Sequence, residues 1–234
     1  GVRKALATSP LGHLNSRLAA LEGGYGNILG THFNDGTSIP AGFFLRTEGG
    51  SPAAITYGSG AGGICLITSD DVAAKSEGVF TGLNWQCDRQ LPGSPLVFEA
   101  RWKTGATITT SEYYLGFTDA INDTDPIAQA ANNNTWTTSV PTDAAVMGFS
   151  ATPASLAGFT LGGNQHSMLS ILNDVNSVNV VGGGAVVAAT YYTYRIELDH
   201  LGNASFYLNG TLLGTNALAV TPTVPLCGGA WLVP

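Results

Sequence analysis

Residues Tyr191 to Gly210 constrain the fold more than any other stretch of the chain. Tyr192, Tyr194, Ile196 and Leu198 alternate with Thr193, Arg195, Glu197 and Asp199, the period-2 pattern of a strand buried on one face. Leu201-Gly202-Asn203 then reverses the chain with residue types that accept positive φ. Ala204, Phe206 and Leu208 resume the buried face, and Asn209-Gly210 supplies a second turn. A hairpin with one apolar face needs a further layer to cover it. The expected fold is therefore an all-β antiparallel sandwich.

The rest of the chain extends that pattern. Leu96, Phe98, Ala100 and Trp102 share one face of a second strand, residues 95–103. Further strands are expected at 43–46, 54–57, 63–67, 113–120, 145–150 and 168–172. Val180-Val181 and Val186-Val187 flank Gly182-Gly183-Gly184, which reads as a bare turn, and residues 217–220 and 230–233 form the last strand pair. Residues 70–77 look helical or loop-like. Turn signals every 8–12 residues or so are those of a sandwich. Residues 1–30 stand apart: Leu11, Leu14, Leu18 and Leu21 recur at helical spacing between Ser9-Pro10 and Gly23-Gly24. A basic arm with a short amphipathic helix is expected there, ahead of a sandwich over residues 31–234. A helix of about three turns needs a surface to lie on, its own sandwich or a neighbouring subunit.

Composition narrows the function classes. Only 11% of the 234 residues are charged, well under the usual quarter or so. Such a surface suits a protein covered by neighbours, and self-association is expected. Arg3, Lys4 and Arg17 precede any acid, so the remaining residues carry −10 of a chain whose net charge is −7. An acidic body argues against nucleic-acid binding. No apolar run of about 7–15 residues opens the chain and none approaches the roughly 20 of a membrane helix, so neither a leader nor a membrane partner is expected. Cys65, Cys87 and Cys227 lack CxxC spacing and read as buried free thiols, although one bridge plus one free thiol also fits the count.

Chemistry-bearing groups are sparse. Glu197 and Asp199 share a strand face, as a glycosidase acid and nucleophile would, but a third carboxylate is missing where Leu201 and Gly202 stand. Solvated edge charges are the simpler reading. Asp119, Asn122, Asp123 and Asp125 could gather oxygens around calcium, yet the run lacks the spacing of a calcium loop. His13, His32, His166 and His200 are scattered, and no nucleophile elbow or phosphate loop is present. No metal, cofactor or catalytic residue is expected. Trp136, in an Asn- and Thr-rich loop, is the aromatic not assigned to a core face, and so the platform on which a sugar-binding reading would rest.

The hairpin at 191–210 resembles the penultimate hairpin of concanavalin-like and laminin-G-like jelly rolls. With Leu96-Val97-Phe98-Glu99-Ala100-Arg101, Leu115-Gly116-Phe117-Thr118-Asp119-Ala120 and Val146-Met147-Gly148-Phe149, the pattern over residues 80–233 is similar to jelly-roll structural proteins of tailed bacteriophages. That resemblance implies a non-enzymatic virion component assembled in the host cytoplasm, a capsid decoration (cement) protein whose partners are the major capsid protein and copies of itself. Arg3, Lys4, Leu11, Leu14, Arg17, Leu18 and Leu21 would then form the capsid-binding arm. The alternative is a carbohydrate-binding module or tail-fibre adhesin with Trp136 at its site.

Overall fold

The computed structural model describes residues 43–47, 54–58, 64–68, 77–81, 85–108, 112–120, 130–131, 135–136, 141–150, 155–156, 159–160, 165–173 and 175–233. The arm residues and the boundary at 30/31 lie outside the described residues. In chain order the strands are β1 (Phe43–Thr47), β2 (Ala54–Gly58), β3 (Ile64–Thr68), β4 (Glu77–Thr81), β5 (Leu96–Lys103), β6 (Glu112–Thr118), β7 (Ala130–Ala131), β8 (Thr135–Trp136) and β9 (Ala144–Ser150). There follow β10 (Ser155–Leu156), β11 (Phe159–Thr160), β12 (Gln165–Leu172), β13 (Val175–Ala185), β14 (Tyr191–Leu198), β15 (Ala204–Leu208), β16 (Thr211–Asn216) and β17 (Cys227–Val233). A seven-stranded antiparallel sheet runs β1-β4-β17-β6-β9-β12-β13, and a four-stranded sheet runs β16-β15-β14-β5. The fold is an antiparallel jelly-roll sandwich, as the alternation predicts.

The core lies between these sheets. From the four-stranded sheet come Leu96, Tyr192, Tyr194, Ile196, Leu198, Phe206 and Leu208; from the other come Leu115, Phe117, Ala145, Met147, Phe149 and Met168. Tyr194, Ile196, Leu198 and Phe206 are fully buried, so the period-2 reading of both hairpin strands holds residue by residue. Trp102 anchors an aromatic cluster, its ring 5.1 Å from Tyr194, 5.6 Å from Tyr192 and 5.3 Å from Tyr113. His166 is buried against both tyrosines, with Nδ1 2.5 Å from the Tyr194 hydroxyl. Burial lowers its pKa from 6.5 to about 4.

The seven-stranded sheet is also buried on its other face. Phe80 stacks on Trp231 at 5.4 Å, Tyr114 lies 6.0 Å beyond, and all three are almost wholly buried. Register explains how large rings fit on neighbouring central strands. Trp231 stands opposite Gly78, Tyr114 opposite Gly148, and Phe80 opposite Gly229. A Cβ at Gly148 would collide with the Tyr114 ring, one at Gly229 with the Phe80 ring, and one at Gly78 with the Trp231 Cβ and the Phe80 ring.

Three expectations change. Gly182-Gly183-Gly184 does not reverse the chain but lies within β13. Across it the pairing passes from Val180↔Ser167 to Ala185↔Gln165, so the glycines absorb extra residues as a bulge on an edge strand. Residues 217–220 are not a strand; Leu218 turns the chain at φ 50°. Residues 77–81, not read as a strand, form β4 because β1 and β17 hold them from both sides. The three cysteines are free thiols, with Cys87 and Cys227 buried and raised to about 12 by burial.

Gly229→Ala should destabilise the sandwich by about 2–4 kcal/mol through the clash with Phe80. Gly93→Ala, at φ +85° with open space around it, should cost about 1–2 kcal/mol from backbone conformation alone. Urea unfolding of the pair tests whether ring-over-glycine packing governs the first site. His166 adds a pH dependence: its native pKa lies below its ordinary value, so protons favour the unfolded chain. Its contribution is complete above pH 6.5 and falls away as the pH drops toward 4. We expect a loss on the order of 3 kcal/mol across that window, and a flatter pH profile in His166→Gln; an unchanged profile would count against the assignment.

Candidate functional site on the four-stranded sheet

Because Tyr192, Tyr194, Ile196 and Leu198 point inward, β14 must present Tyr191, Thr193, Arg195 and Glu197 outward. Pairing aligns them into cross-strand rows. Tyr191 faces Lys103, and Thr193 faces Arg101; Arg195 sits between Glu99 and Tyr207, and Glu197 between Val97 and Ser205. A chain poor in charge thus places three of its nine Lys and Arg residues on one strand pair.

The middle of this face is knitted together. Arg195 donates through Nε to Glu197 Oε1 at 2.8 Å and through a terminal nitrogen to the same oxygen at 2.5 Å, and its other nitrogen lies 3.5 Å from Glu99. The Tyr207 hydroxyl donates to Glu197 Oε2 at 3.0 Å. Both carboxylate oxygens of Glu197 are therefore engaged. Burial lowers the Arg195 pKa, but Glu197 and Glu99 outweigh it and the net shift is upward. Burial and the hydrogen bond to Glu197 raise the Tyr207 phenol.

Beyond Glu197 the hairpin turn is held by Asp199. Its Oδ1 accepts from the backbone N–H of Leu201 and of Asn203, both at 2.9 Å, and its Oδ2 accepts from the Asn203 side-chain amide at 2.8 Å. Partial burial works against the charge, but the Asn203 and Leu201 donors hold the carboxyl below its usual range. The turn is in turn stitched to the segment after β16: Leu218 N–H donates to Asn203 Oδ1 at 2.9 Å, and Ala219 N–H to Gly202 O at 2.8 Å. Gly202 is at φ +79°, and a Cβ there would strike the Val220 carbonyl.

These constraints leave a depression of about 370 Å³ at the end of the sheet. Glu197, Asp199, His200, Asn203 and Ser205 line it from the β14–β15 hairpin, Gly93, Ser94 and Pro95 from the approach to β5, and Thr215, Asn216 and Ala217 from the end of β16. His200 Nδ1 is buried without a hydrogen-bond partner. The wall offers carboxylate, imidazole, amide and hydroxyl groups, a polar set suited to a polyhydroxylated ligand.

Of the residues singled out from sequence, Glu197 and Asp199 are brought together here on the outward face. Trp136 lies in β8, paired with Ala130, and its side chain lies outside the described residues, as do Asn122, Asp123 and Asp125. Asp119 is 2.5 Å from the Thr142 hydroxyl, which donates to it, and burial raises its pKa. Sequence reading did not reach Ser94, His200, Ser205 or Thr215 as one site. Ser205 and Thr215 meet as cross-strand partners of β15 and β16, and the β14–β15 turn and the approach to β5 bring His200 and Ser94 beside them, a meeting that no local pattern encodes.

No protein-family model and no curated protein sequence matches this chain. Solved structures do. A glycoside hydrolase family 16 endo-glucanase from Bacteroides ovatus is 10% identical, with TM-score 0.50 over 87% of this chain and 84% of that one. A β-glucanase from Bacillus licheniformis is 13% identical, with TM-score 0.49 over 84% and 81%. A carbohydrate-binding module, CBM66, from Bacillus subtilis is 8% identical, with TM-score 0.43 over 81% and 90%. At these identities the likeness is one of fold, and it establishes the concanavalin-like jelly roll.

The likeness also corrects the functional expectation. A bacteriophage capsid decoration protein, the virion role it carried and the exclusion of enzymatic activity were drawn from a cadence of strands and turns. The fold is shared with an endo-glucanase, and a strand-and-turn cadence encodes a fold and not a role. Neither the capsid role nor the exclusion of catalysis stands.

Asp199→Ala should cost about 1–3 kcal/mol at neutral pH, since three donors lose their acceptor. A carboxyl held below its usual range stabilises the native state above that range, and the benefit is lost as the pH falls through its lowered pKa. The gap between wild type and variant in urea unfolding should accordingly close in acid.

Proposed function

We propose that this protein is a carbohydrate-binding jelly-roll domain whose ligand seats in the depression beside Glu197, Asp199 and His200. The observation that carries the reading is the depression itself. Its volume of about 370 Å³ falls in the range of small-molecule sites, roughly 300–1,000 Å³, and its wall sets the polar groups of Ser94, Glu197, His200, Ser205 and Thr215 among apolar surface. Sugars present hydroxyls in several directions at once, and such a wall meets them with donors and acceptors already fixed by the turn. Tyr207, tied to Glu197, places an aromatic ring on the adjoining row. The Bacteroides ovatus endo-glucanase and the Bacillus subtilis module, named for glucan hydrolysis and carbohydrate binding, supply the direction of the reading.

Glycoside cleavage is the second reading, favoured by the presence of both Glu197 and Asp199 at the depression. Against it, Glu197 is committed to Arg195 and Tyr207, and Asp199 to its own turn. A proton-donating carboxyl needs a raised pKa, whereas that of Asp199 is lowered.

Titration calorimetry against a panel of neutral and acidic oligosaccharides, β-glucan fragments among them, tests the proposal. Thr215 is exposed on the depression wall, so Thr215→Trp fills the space without touching the core. Binding to wild type, and a loss of about tenfold or more in the variant at unchanged melting temperature, is the expected result. Absence of binding at ~1 mM across the panel, or equal binding by the variant, overturns the site. Release of reducing ends that disappears in Glu197→Gln would establish cleavage.

A further inference from the structure

At the opposite end of the same face, Arg101 and Lys103 form a cationic pair with no counter-ion among the described residues. The Arg101 guanidinium lies 4.5 Å from the centre of the Tyr191 ring and Lys103 Nζ lies 5.3 Å from it. Both cations are exposed, and Tyr191 itself is 51% exposed. Among the described residues no carboxylate forms an ion pair with either; Glu99, the nearest acid on the strand, is taken by Arg195. Two like charges two residues apart on one sheet face repel each other, in a chain whose net charge is −7. Tyr191 gathers them, through cation–π attraction and cross-strand pairing with Lys103. A guanidinium has five N–H donors, and contact with the ring through Cζ leaves it able to hydrogen-bond a carboxylate bidentately.

We infer that the Arg101–Lys103–Tyr191 end of the face is a subsite for the carboxylate of an acidic sugar, so that the ligand is a uronic-acid-containing polysaccharide and not a neutral glucan. The inference rests on the carbohydrate-binding reading above and names its ligand class. A chain running along β14 would place one residue in the hydroxyl-binding depression and an acidic residue over the cationic pair. Arg101 and Lys103 touch the carboxylate; Tyr191 is a positioning residue that limits their conformational freedom.

The experiment compares an oligouronate with a neutral β-glucan oligomer of equal length, using wild type, the double variant Arg101→Gln/Lys103→Gln, and Tyr191→Leu. The expected result is that wild type binds the oligouronate about tenfold tighter. That advantage should vanish as salt rises from about 0.01 M to about 1 M, where the screening length falls from ~30 Å to ~3 Å. The double variant should lose the advantage while keeping its melting temperature and its neutral-glucan affinity. Tyr191→Leu should lose part of it and retain the salt dependence. Equal affinity for the two oligomers in wild type, or an undiminished preference in the double variant, overturns the subsite while leaving the depression intact. Preference for a sulfated glycan over the oligouronate, or equally tight binding of single-stranded DNA, overturns the carboxylate assignment. Binding of neither oligomer overturns this inference together with the reading beneath it.

Discussion

The structure depends on the register of β14. Its inward residues meet Leu115, Phe117, Met147 and Phe149 across the sandwich, and its outward residues build the polar rows. Alternation leaves no intermediate arrangement: a one-residue slip against β5 and β15 would place Arg195 and Glu197 in the core and Tyr194 and Ile196 in water. Burying that ion pair would cost several kcal/mol per charge before any attraction was recovered. Core and binding face are therefore specified by the same hydrogen-bond ladder, and the stability of one fixes the geometry of the other.

The scarcity of charge follows from the larger sheet. A sheet buried on a single face needs polar residues at every second position. The seven-stranded sheet has Leu115, Phe117 and Met147 on one side and Tyr114, Phe80 and Trp231 on the other, so its central strands carry few charges. Double-sided burial accounts for this part of the composition without any neighbouring subunit. It also accounts for Gly148 in β9 and Gly229 in β17, since the Tyr114 and Phe80 rings occupy the space that a Cβ on the cross-strand neighbour would need.

This division explains what could be read from sequence. β5, β14 and β15 are buried on one face, and period 2 revealed them with the correct residues inside. β4 is buried on both faces at every position, so Glu77-Gly78-Val79-Phe80-Thr81 shows no alternation and passed unrecognised. Its strand character comes from β1 and β17, residues far off in sequence. The same limit applies to the candidate site. Glu197 and Asp199 were visible as a pair because they lie two residues apart at strand spacing, whereas Thr215 reaches the depression through the pairing of β16 with β15 and Ser94 through the approach to β5, a meeting that is a tertiary event. Family resemblance reached the jelly roll but not the role, for a related reason: a cadence such as F-E-A-R or F-Y-L-N-G records which face is buried, and many functions share that requirement.

What distinguishes the two ends of the outer face is whether their charges are already satisfied. Glu197 is neutralised by Arg195 and capped by Tyr207; Asp199 is held by backbone and amide donors. Glu197 is thus compensated on the sheet and Asp199 at the turn, each with acceptor sites remaining, so the depression they line recognises shape and hydroxyl pattern more than charge. Arg101 and Lys103 have only a ring beneath them. A cation on an aromatic face retains most of its hydration and its unused N–H donors, so it can still exchange water for an anion at modest cost. A polymer laid along β14 would thus meet a preformed hydroxyl-binding end and an uncompensated cationic end. That polarity fixes which way the polymer can lie, because reversing it would set the acid against Glu197 and leave the cations facing hydroxyls.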